Sequence, residues 1–280
     1  MKIETTFLTC ANSKYAFFVP IYVYFVLKYN KDARVEVLVD NQETLLYLND
    51  FIIWINEKYP ERTLVRAVNF EGVTPNIVRF LEEPLVKTKY TYIADIDILV
   101  VDNVTSWHVK KMEELNLPHS NIIRKGQERL TGLHFCETIK HYPVLFDDFN
   151  IKSNKSSTDE EFLYFTYKIK NKLPPITHTK RPEHGIHISI NRCPYDKKGW
   201  GMNEVFFERT LETINEILED NIAYFFPEKS LLMLNLVKQF ITGKSLFESN
   251  DLESFRFLKR TEKEQKILDS FYNGELKNSL

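Results

Sequence analysis

The first hundred residues alternate between short apolar segments, typical of β-strands, and longer segments with helical periodicity. Such alternation predicts a layered α/β domain, in which the loops after parallel strands converge on one ligand crevice. We therefore expect the loop Thr9–Tyr15, Asp40 and the segment around residue 95 to lie close together. The predicted strands are residues 3–9, 35–39, 64–68 and 90–101, and the predicted helices are residues 17–29, 43–59 and a segment that begins at Thr74-Pro75.

Two aspartates, Asp95 and Asp97, interrupt the otherwise apolar strand predicted at residues 90–101. A buried carboxylate without a counter-charge is costly, so such groups are neutralised, paired or bound to a cation. Oxygen ligands suit a hard divalent ion such as Mg2+ or Mn2+, which keeps coordination positions open for phosphate oxygens. The pair therefore predicts a metal site for a nucleotide diphosphate; the alternative is that Asp95 caps the strand and Asp97 is solvated.

Histidines cluster at His178, His184 and His187. On a strand, His184 and His187 would face opposite sides, so one could complete the coordination of Mn2+ while the other meets substrate. An ordinary hydrogen-bonded histidine is the alternative at either position.

Three successive acids follow Thr158, with the spacing of a helix capping box between Thr158 and Glu161. Acids are favoured at this position by the helix dipole alone. The functional reading is that one of Asp159, Glu160 and Glu161 points into the crevice beside a reacting sugar. Both readings stay open.

Arg79 lies on the helix that precedes the two aspartates, where its guanidinium could bind a diphosphate or pair with an aspartate of the metal site. A surface arginine is the alternative. Further candidates for phosphate contact are Lys14, Lys180, Arg181, Arg192 and Lys197.

The later part of the chain is less regular. We predict a helix at residues 107–115, a strand at 130–136, a polar loop at 150–157 and an aromatic-rich helix from Thr158 to Ile169. Beyond the segment 199–201 the pattern is helical to the end, with amphipathic runs at residues 204–218 and 229–240.

Composition excludes some functional classes. The chain has 37 basic and 39 acidic side chains, so no overall field attracts nucleic acid. Its three cysteines lack any Cys-x-x-Cys, which argues against a disulfide framework or zinc knuckle and fits a reducing cytoplasm. The apolar run 16–27 is too short to span a bilayer and contains Pro20, so we predict a buried helix there.

Taken in order, these segments resemble the GT-A glycosyltransferases, and among them the retaining group that includes glycogenin and bacterial lipooligosaccharide galactosyltransferases. The segment 9–15 looks like the nucleotide loop of that group, and residues 75–79 followed by 92–100 resemble its arginine-bearing helix and Asp-x-Asp strand. The remaining matches depart from the family pattern. Residues 130–135 stand in the place of Asn-Ala-Gly, 159–161 in the place of Asp-Gln-Asp, and 184–189 in the place of a histidine ligand that is followed by a lysine, which is missing here.

The resemblance implies a GT-A, Rossmann-like nucleotide-sugar domain at residues 1–200, with a mixed central sheet flanked by helices, and a helical C-terminal extension at 201–280 packed on it. It implies a metal-dependent glycosyltransferase whose donor is a nucleotide-diphosphate sugar, a UDP-sugar. The acceptor would be a hydroxyl of a cell-surface glycan or lipid-linked oligosaccharide, and the configuration of the sugar would be retained. We expect the reaction in the cytoplasm, with the inner face of the membrane as an alternative location. The oligomeric state is left open.

The resemblance also implies roles for residues. Mn2+ or Mg2+ would be held by Asp95, Asp97 and His187, with Asp159 and Glu160 as catalytic carboxylates. The implied substrate-binding residues are Thr9, Ala11, Asn12, Tyr15, Asp40, Arg79, Ile96, Gly132, His134, His184 and Arg192.

Three other readings stay open. Glu160 acting as a base on the opposite face of the sugar would invert the configuration. A haloacid-dehalogenase-like phosphatase also uses Asp-x-Asp, although Asp97 is followed here by Ile-Leu-Val instead of a small residue and threonine. A catalytically inactive scaffold would use apolar faces of the C-terminal helices, such as Leu232, Leu236 and Phe240, to bind a partner or a membrane surface.

Overall fold

The structure, a computed structural model, describes residues 2–71, 73, 75–144, 158–178, 184–188 and 203–242. The chain divides into two compact units, Met1–Gly185 and Ile186–Leu280. The boundary that we predict at residue 200 stays a prediction. Outside the described residues lie Thr74, the polar loop 150–157, Lys180, Arg181, Arg192, Lys197 and the end of the C-terminal extension.

The first unit is built on a mixed sheet. In chain order its strands are β1 (Thr5–Ala11), β2 (Ala33–Val39), β3 (Thr63–Ala67), β4 (Tyr90–Ile93), β5 (Ile98–Val100), β6 (His119–Ser120) and β7 (His134–Glu137), and β8 is Gly185–His187. Six of them form the central sheet in the order β3-β2-β1-β4-β7-β6, while β5 and β8 form a separate two-stranded sheet. The first four strands of the central sheet are parallel and β7 is antiparallel to both neighbours. The predicted mixed α/β fold is confirmed.

Helices lie between the strands. They are α1 (Phe18–Tyr29), α2 (Gln42–Tyr47), α3 (Asn49–Lys58), α4 (Pro75–Leu81), α5 (Thr105–Leu115), α6 (Thr138–His141) and α7 (Asp159–Ile169). Every residue of α1 from Phe18 to Leu27 is buried. The predicted buried helix is therefore confirmed, and burial of α1 on all sides explains why its sequence has no polar face.

The helix predicted at residues 43–59 is interrupted. The first helix ends at Leu48, whose side chain is buried. The N–H of Leu48 donates to the carbonyls of Leu45 and Leu46. After the break, α3 buries Phe51 and Ile55. Packing against the sheet thus overrides a continuous helical pattern.

The prediction of one continuous strand at residues 90–101 is wrong. β4 pairs with β1 only from Tyr90 to Ile93, the N–H of Ala94 still bonds to the carbonyl of Leu8 at 3.2 Å, and the chain then leaves the sheet. Asp95 and Asp97 lie in the connection between β4 and β5. They therefore follow the carboxyl end of β4, and the side chain of Asp95 is 31% exposed.

The strand predicted at residues 130–136 begins late, at His134. The side chain of Asn121 binds both backbone groups of Thr131, with its amide on the carbonyl at 3.0 Å and its oxygen on the N–H at 3.1 Å. These bonds occupy groups that a strand ladder would need, so Thr131 and Gly132 stay outside the sheet.

The second unit contains α8 (Glu204–Glu219), a 3-10 turn at Asn221–Phe225 and α9 (Glu228–Ile241). The two long helices contact each other. Both amphipathic helices predicted here are confirmed, and Leu236 and Phe240 on α9 are buried. No helix in the described ranges combines the length and the apolar character that a bilayer crossing requires.

Three histidines of the first unit, His119, His134 and His141, are almost completely buried. Burial lowers the pKa of His119 to about 4 and that of His141 to about 3, and it lowers the pKa of His134 as well. All three are therefore neutral at pH 7.

These histidines predict loss of stability in mild acid. In the unfolded chain each binds a proton near its ordinary pKa of 6.5, whereas the folded chain resists protonation down to about pH 4 at His119 and about pH 3 at His141. Their contribution is complete above pH 6.5 and is lost as the pH falls, by up to about 1.4 kcal/mol per pH unit for each histidine. Chemical denaturation between pH 8 and pH 5 measures this slope, and His141→Gln should make it shallower. A free energy of unfolding that stays constant from pH 6.5 to pH 5 would contradict the prediction.

Candidate functional site

Arg79, on α4, stands at the centre of a group of charged residues. Its side chain is only 2% exposed, with Nη1 2.6 Å from Asp95 Oδ1 and Nη2 2.7 Å from Asp159 Oδ2. Nε donates to the carbonyl of Asn76 at 3.1 Å. Burial alone would lower the pKa of Arg79, but the carboxylates of Asp95 and Asp159 outweigh it and raise the pKa. The guanidinium is therefore a permanent cation that holds two carboxylates.

Gly132 lies close to Arg79, Asp95 and Asp159. A side chain there would begin 3.2 Å from Arg79 Nη2, 3.4 Å from Asp159 Oδ2 and 3.7 Å from Asp95 Oδ2. Four predicted site residues from distant parts of the sequence thus meet at one place. We call Arg79, Asp95, Gly132 and Asp159 the arginine cluster.

The loop after β1 is fixed by local hydrogen bonds. Asn12 Oδ1 accepts from the N–H of Tyr15 at 3.2 Å, and Asp40 Oδ2 accepts from the N–H of Ser13 at 3.0 Å. The other oxygen of Asp40 accepts from the hydroxyl of Thr44 at 2.8 Å. The expected closeness of Asp40 to the loop Thr9–Tyr15 is confirmed, and the carboxylate of Asp40 shapes this loop.

Thr9 connects the end of β1 to the aspartate segment. Its hydroxyl donates to the carbonyl of Ala94 at 2.9 Å, next to Asp95. The side chains of Thr9, Ala11 and Ile96 are all buried. Their predicted contact with substrate stays a prediction, and it would have to use their backbone groups.

Tyr15 lies at the other end of the loop. Its ring is partly exposed and stacks on that of Phe18, with 5.9 Å between the ring centroids. Both expectations from the sequence, packing on the first helix and stacking on a base, are compatible with this position.

The three acids at the start of α7 have three different partners. Asp159 bonds to Arg79, Glu160 pairs with Arg124, and Glu161 pairs with Arg129 at 2.7 Å. Asp159 is thus the acid that joins the arginine cluster, while the catalytic role of Glu160 stays a prediction.

The predicted capping box of α7 is confirmed. The N–H of Glu161 donates to the hydroxyl of Thr158 at 3.3 Å, and Glu161 Oε2 accepts from the N–H of Thr158 at 2.9 Å. The bond from Thr158 and the contact with Arg129 lower the pKa of Glu161. Glu161 is therefore a structural cap, which stabilises the first turn of α7.

Two sets of side chains within the described residues have the composition of a metal site. The first set includes Asp95 and Asp97. The other is His134, Cys136 and His141, which are fully buried. In the first set, the ion pair with Arg79 engages Oδ1 of Asp95, yet that side chain remains 31% exposed.

His184 and His134, two predicted substrate contacts, are buried. His184 Nε2 lies 3.0 Å from His108 Nε2, and His134 lies between the side chains of Asn121 and Tyr167 at 3.1 and 2.8 Å. The position of His184 matches the alternative of an ordinary hydrogen-bonded histidine, and His134 is likewise an internal hydrogen-bonded residue. Arg192, the remaining predicted contact, lies outside the described residues.

Several contacts had no signal in the sequence. Arg124 and Arg129 reach α7 across about thirty residues, and the hydroxyl of Tyr142 donates to the carbonyl of Arg79 at 3.1 Å. Cys10 is another neighbour of the cluster whose role the sequence does not indicate. Burial raises the pKa of its thiol to about 12, so Cys10 is not a nucleophile at neutral pH.

No protein-family model matches this sequence, and no curated protein matches it. Solved structures similar to the chain include the galactosyltransferase LgtC in complex with donor and acceptor sugar analogs, at 14% identity and a TM-score of 0.43 over 56% of this chain and 69% of LgtC. The glycosyltransferase GlyE of Streptococcus pneumoniae TIGR4 has 8% identity and a TM-score of 0.47 over 98% of this chain and 64% of GlyE. The mannosyltransferase PcManGT of Pyrobaculum calidifontis, in complex with GDP-Man and Mn2+, has 10% identity and a TM-score of 0.45 over 99% of this chain and 82% of PcManGT.

The arginine cluster predicts a strong dependence of stability on Arg79. Arg79→Gln leaves Asp95 and Asp159 facing each other without a cation, and breaking a buried pair in this way costs about 3–5 kcal/mol. Adding Asp159→Asn should recover part of the loss, which a double-mutant cycle by chemical denaturation measures.

The matched control is the pair of Arg124 and Glu160, where Arg124 is 45% exposed. Arg124→Gln should cost less than about 1 kcal/mol, as exposed ion pairs do. Equal losses at Arg79 and Arg124 would show that the cluster does not depend on a buried cation.

Proposed function

We propose that the chain is a metal-dependent glycosyltransferase that moves a sugar from a UDP-sugar to a hydroxyl of a glycan or lipid-linked acceptor. The observation that carries the proposal is the meeting of Arg79, Asp159 and Gly132 with the Asp-x-Asp segment at the carboxyl ends of the parallel strands. The acceptor and a location in the cytoplasm, at the inner face of the membrane for a lipid-linked acceptor, are parts of this proposal.

The residues at the site fit a divalent cation. Two carboxylates and an imidazole are a ligand set that suits Mn2+, and Mg2+ fits the carboxylates. In the proposal Asp95, Asp97 and His187 would hold the ion, which would stabilise the negative charge on the departing nucleotide diphosphate.

The side chains of the arginine cluster have distinct roles in the proposal. Arg79 keeps Asp95 in one orientation through the 2.6 Å contact, so the ligand is preorganised before donor binds. Its second contact holds Asp159 beside the position of the sugar, where a carboxylate stabilises cationic character at the anomeric carbon. Gly132 leaves this space open, because a methyl group there would lie only 3.2 Å from Arg79 Nη2.

The loop after β1 provides the nucleotide-binding part of the proposal. Asn12 and Asp40 hold the backbone between them in a defined turn, and Tyr15 offers a partly exposed ring. An aromatic face and fixed backbone groups are suited to a nucleobase, which stacks on one and hydrogen-bonds to the other. The phosphates would then extend toward Asp95 and Asp97, which follow the neighbouring strand β4.

The proposed stereochemical outcome is retention, with the acceptor hydroxyl attacking on the face that the diphosphate leaves. Inversion needs a carboxylate base on the opposite face. Glu160, the residue considered for that role, is paired with Arg124. Because Glu160 is already engaged in this ion pair, the proposal favours retention.

Calorimetric titration with UDP tests the proposal. We expect binding that requires Mn2+ and that weakens by at least about 100-fold in Asp97→Asn, a loss of about 3 kcal/mol, because one metal-ligand oxygen becomes an amide. The matched control is Asp50→Asn on the exposed first turn of α3, which should bind as the wild type does. Metal-independent binding, or no binding of any nucleoside diphosphate with either metal, would favour an inactive scaffold protein and contradict the proposal.

A further inference from the structure

A continuous series of hydrogen bonds crosses the core of the first unit. Asn121 Nδ2 lies 3.1 Å from His134 Nδ1, and His134 Nε2 lies 2.8 Å from the hydroxyl of Tyr167. The same hydroxyl lies 2.9 Å from His141 Nδ1, and His141 Nε2 lies 3.3 Å from the carbonyl of Phe80. We call Asn121, His134, Tyr167 and His141 the histidine network, and all four side chains are buried.

The direction of every bond in the network follows from its two ends. The carbonyl of Phe80 can only accept, so His141 Nε2 donates to it; Nδ1 of the neutral ring then accepts from the hydroxyl of Tyr167. The oxygen of Tyr167 is left to accept from His134 Nε2, which makes His134 Nδ1 an acceptor.

The hydrogen bonds of Asn121, at the other end of the network, require the same donor and acceptor assignment. Asn121 Oδ1 accepts from the N–H of Ile122 at 2.7 Å, the N–H of Thr131 at 3.1 Å and the hydroxyl of Thr131 at 2.6 Å. Its amide nitrogen therefore faces His134 and donates to Nδ1. One arrangement of protons satisfies the whole series, which makes the network rigid.

Two ends of the network bond to residues adjacent in sequence to the arginine cluster, and a third member lies on the helix that begins with a residue of the cluster. Asn121 binds Thr131, which precedes Gly132, and His141 binds the carbonyl of Phe80, which follows Arg79. Tyr167 belongs to α7, the helix that begins at Asp159. The network therefore connects the three segments that bring the cluster together.

We infer that His134, Tyr167 and His141 are positioning residues, which fix Gly132, Arg79 and Asp159 relative to one another. This inference rests on the proposed function for its catalytic consequence, whereas the network itself stands on the hydrogen-bond geometry. It assigns His134 a role inside the protein in place of the contact with sugar or acceptor that the sequence suggested.

A buried metal is the competing explanation, because His134, Cys136 and His141 have ligand atoms within 4.8 Å of one another. However, the hydroxyl of Tyr167 lies within hydrogen-bond distance of both imidazoles. The thiol of Cys136 lies 3.6 Å from the carbonyl of Thr91. Since hydrogen bonds account for these groups, the geometry favours the network.

Nitrogen-15 NMR of the histidine rings tests the network in the protein without ligand. At pH 7 we expect His134 and His141 both to be neutral and to carry the proton on Nε2. A proton on Nδ1 of either ring, an imidazolium, or zinc that copurifies with the wild type and is lost in Cys136→Ser would overturn the inference.

The catalytic consequence is tested with Tyr167→Phe, which keeps the ring and removes both bonds of the hydroxyl. Hydrolysis of a panel of UDP-sugars should slow by about 100-fold, as a small displacement of catalytic groups produces. Mn2+-dependent affinity for UDP should change less than about threefold, since Asp97 and the loop after β1 are untouched. The control is Tyr164→Phe, at a partly exposed position one turn earlier on α7. This variant should hydrolyse UDP-sugars at the wild-type rate.

Turnover within twofold of the wild type in folded Tyr167→Phe would overturn the positioning role, as would an equal loss in Tyr164→Phe. If Tyr167→Phe does not fold, the proton positions in the wild type decide whether the network exists. The conservative variant His134→Gln then replaces Tyr167→Phe in the hydrolysis assay, with the same expected loss of rate. A wild type that neither binds UDP nor hydrolyses any UDP-sugar contradicts the proposed function, while the NMR result still decides the network.

Discussion

The buried guanidinium of Arg79 is the interaction on which the arrangement of the site depends. A cation removed from water needs counter-charges at short distance, and Arg79 has two of them, at 2.6 Å in Asp95 and 2.7 Å in Asp159. These carboxylates come from the connection after β4 and from the start of α7. Three segments that are remote in the sequence are therefore held together by one charge.

The same charge balance links structure to the proposed chemistry. Arg79 already pairs with Asp95 and Asp159, and in the proposal a divalent ion binds Asp95 together with Asp97. Gly132 prevents a side chain from filling the space beside the cluster. In the proposal the site binds a metal-bound diphosphate, and the histidine network keeps the surrounding segments in a fixed arrangement.

Much of this arrangement is encoded locally and could be predicted. The alternation of apolar and helical segments indicated β1, β2, β3 and α1, since each pattern is set by which faces are buried. The acids after Thr158 indicated the capping box, because a cap is a local interaction. Asp95 and Asp97 indicated a site because charges in an apolar segment need a reason that packing does not supply.

The errors occurred where distant contacts decide the structure. The strand predicted at residues 90–101 ends at Ile93 because its pairing with β1 ends there, which no local pattern reveals. The helix predicted at 43–59 breaks at Leu48, where burial prevails over periodicity. The histidine network joins residues up to 61 positions apart along the chain through single hydrogen bonds, so its members look like unrelated polar residues in the sequence.

The central claim is that a divalent ion binds at the aspartates beside Arg79. Anomalous diffraction at the manganese absorption edge, from crystals grown with Mn2+ and UDP, tests it most directly. The account predicts a strong peak in contact with carboxylate oxygens of Asp95 and Asp97, with diphosphate density on its open side. A manganese peak elsewhere, or clear UDP density with no metal at these two carboxylates, would contradict it.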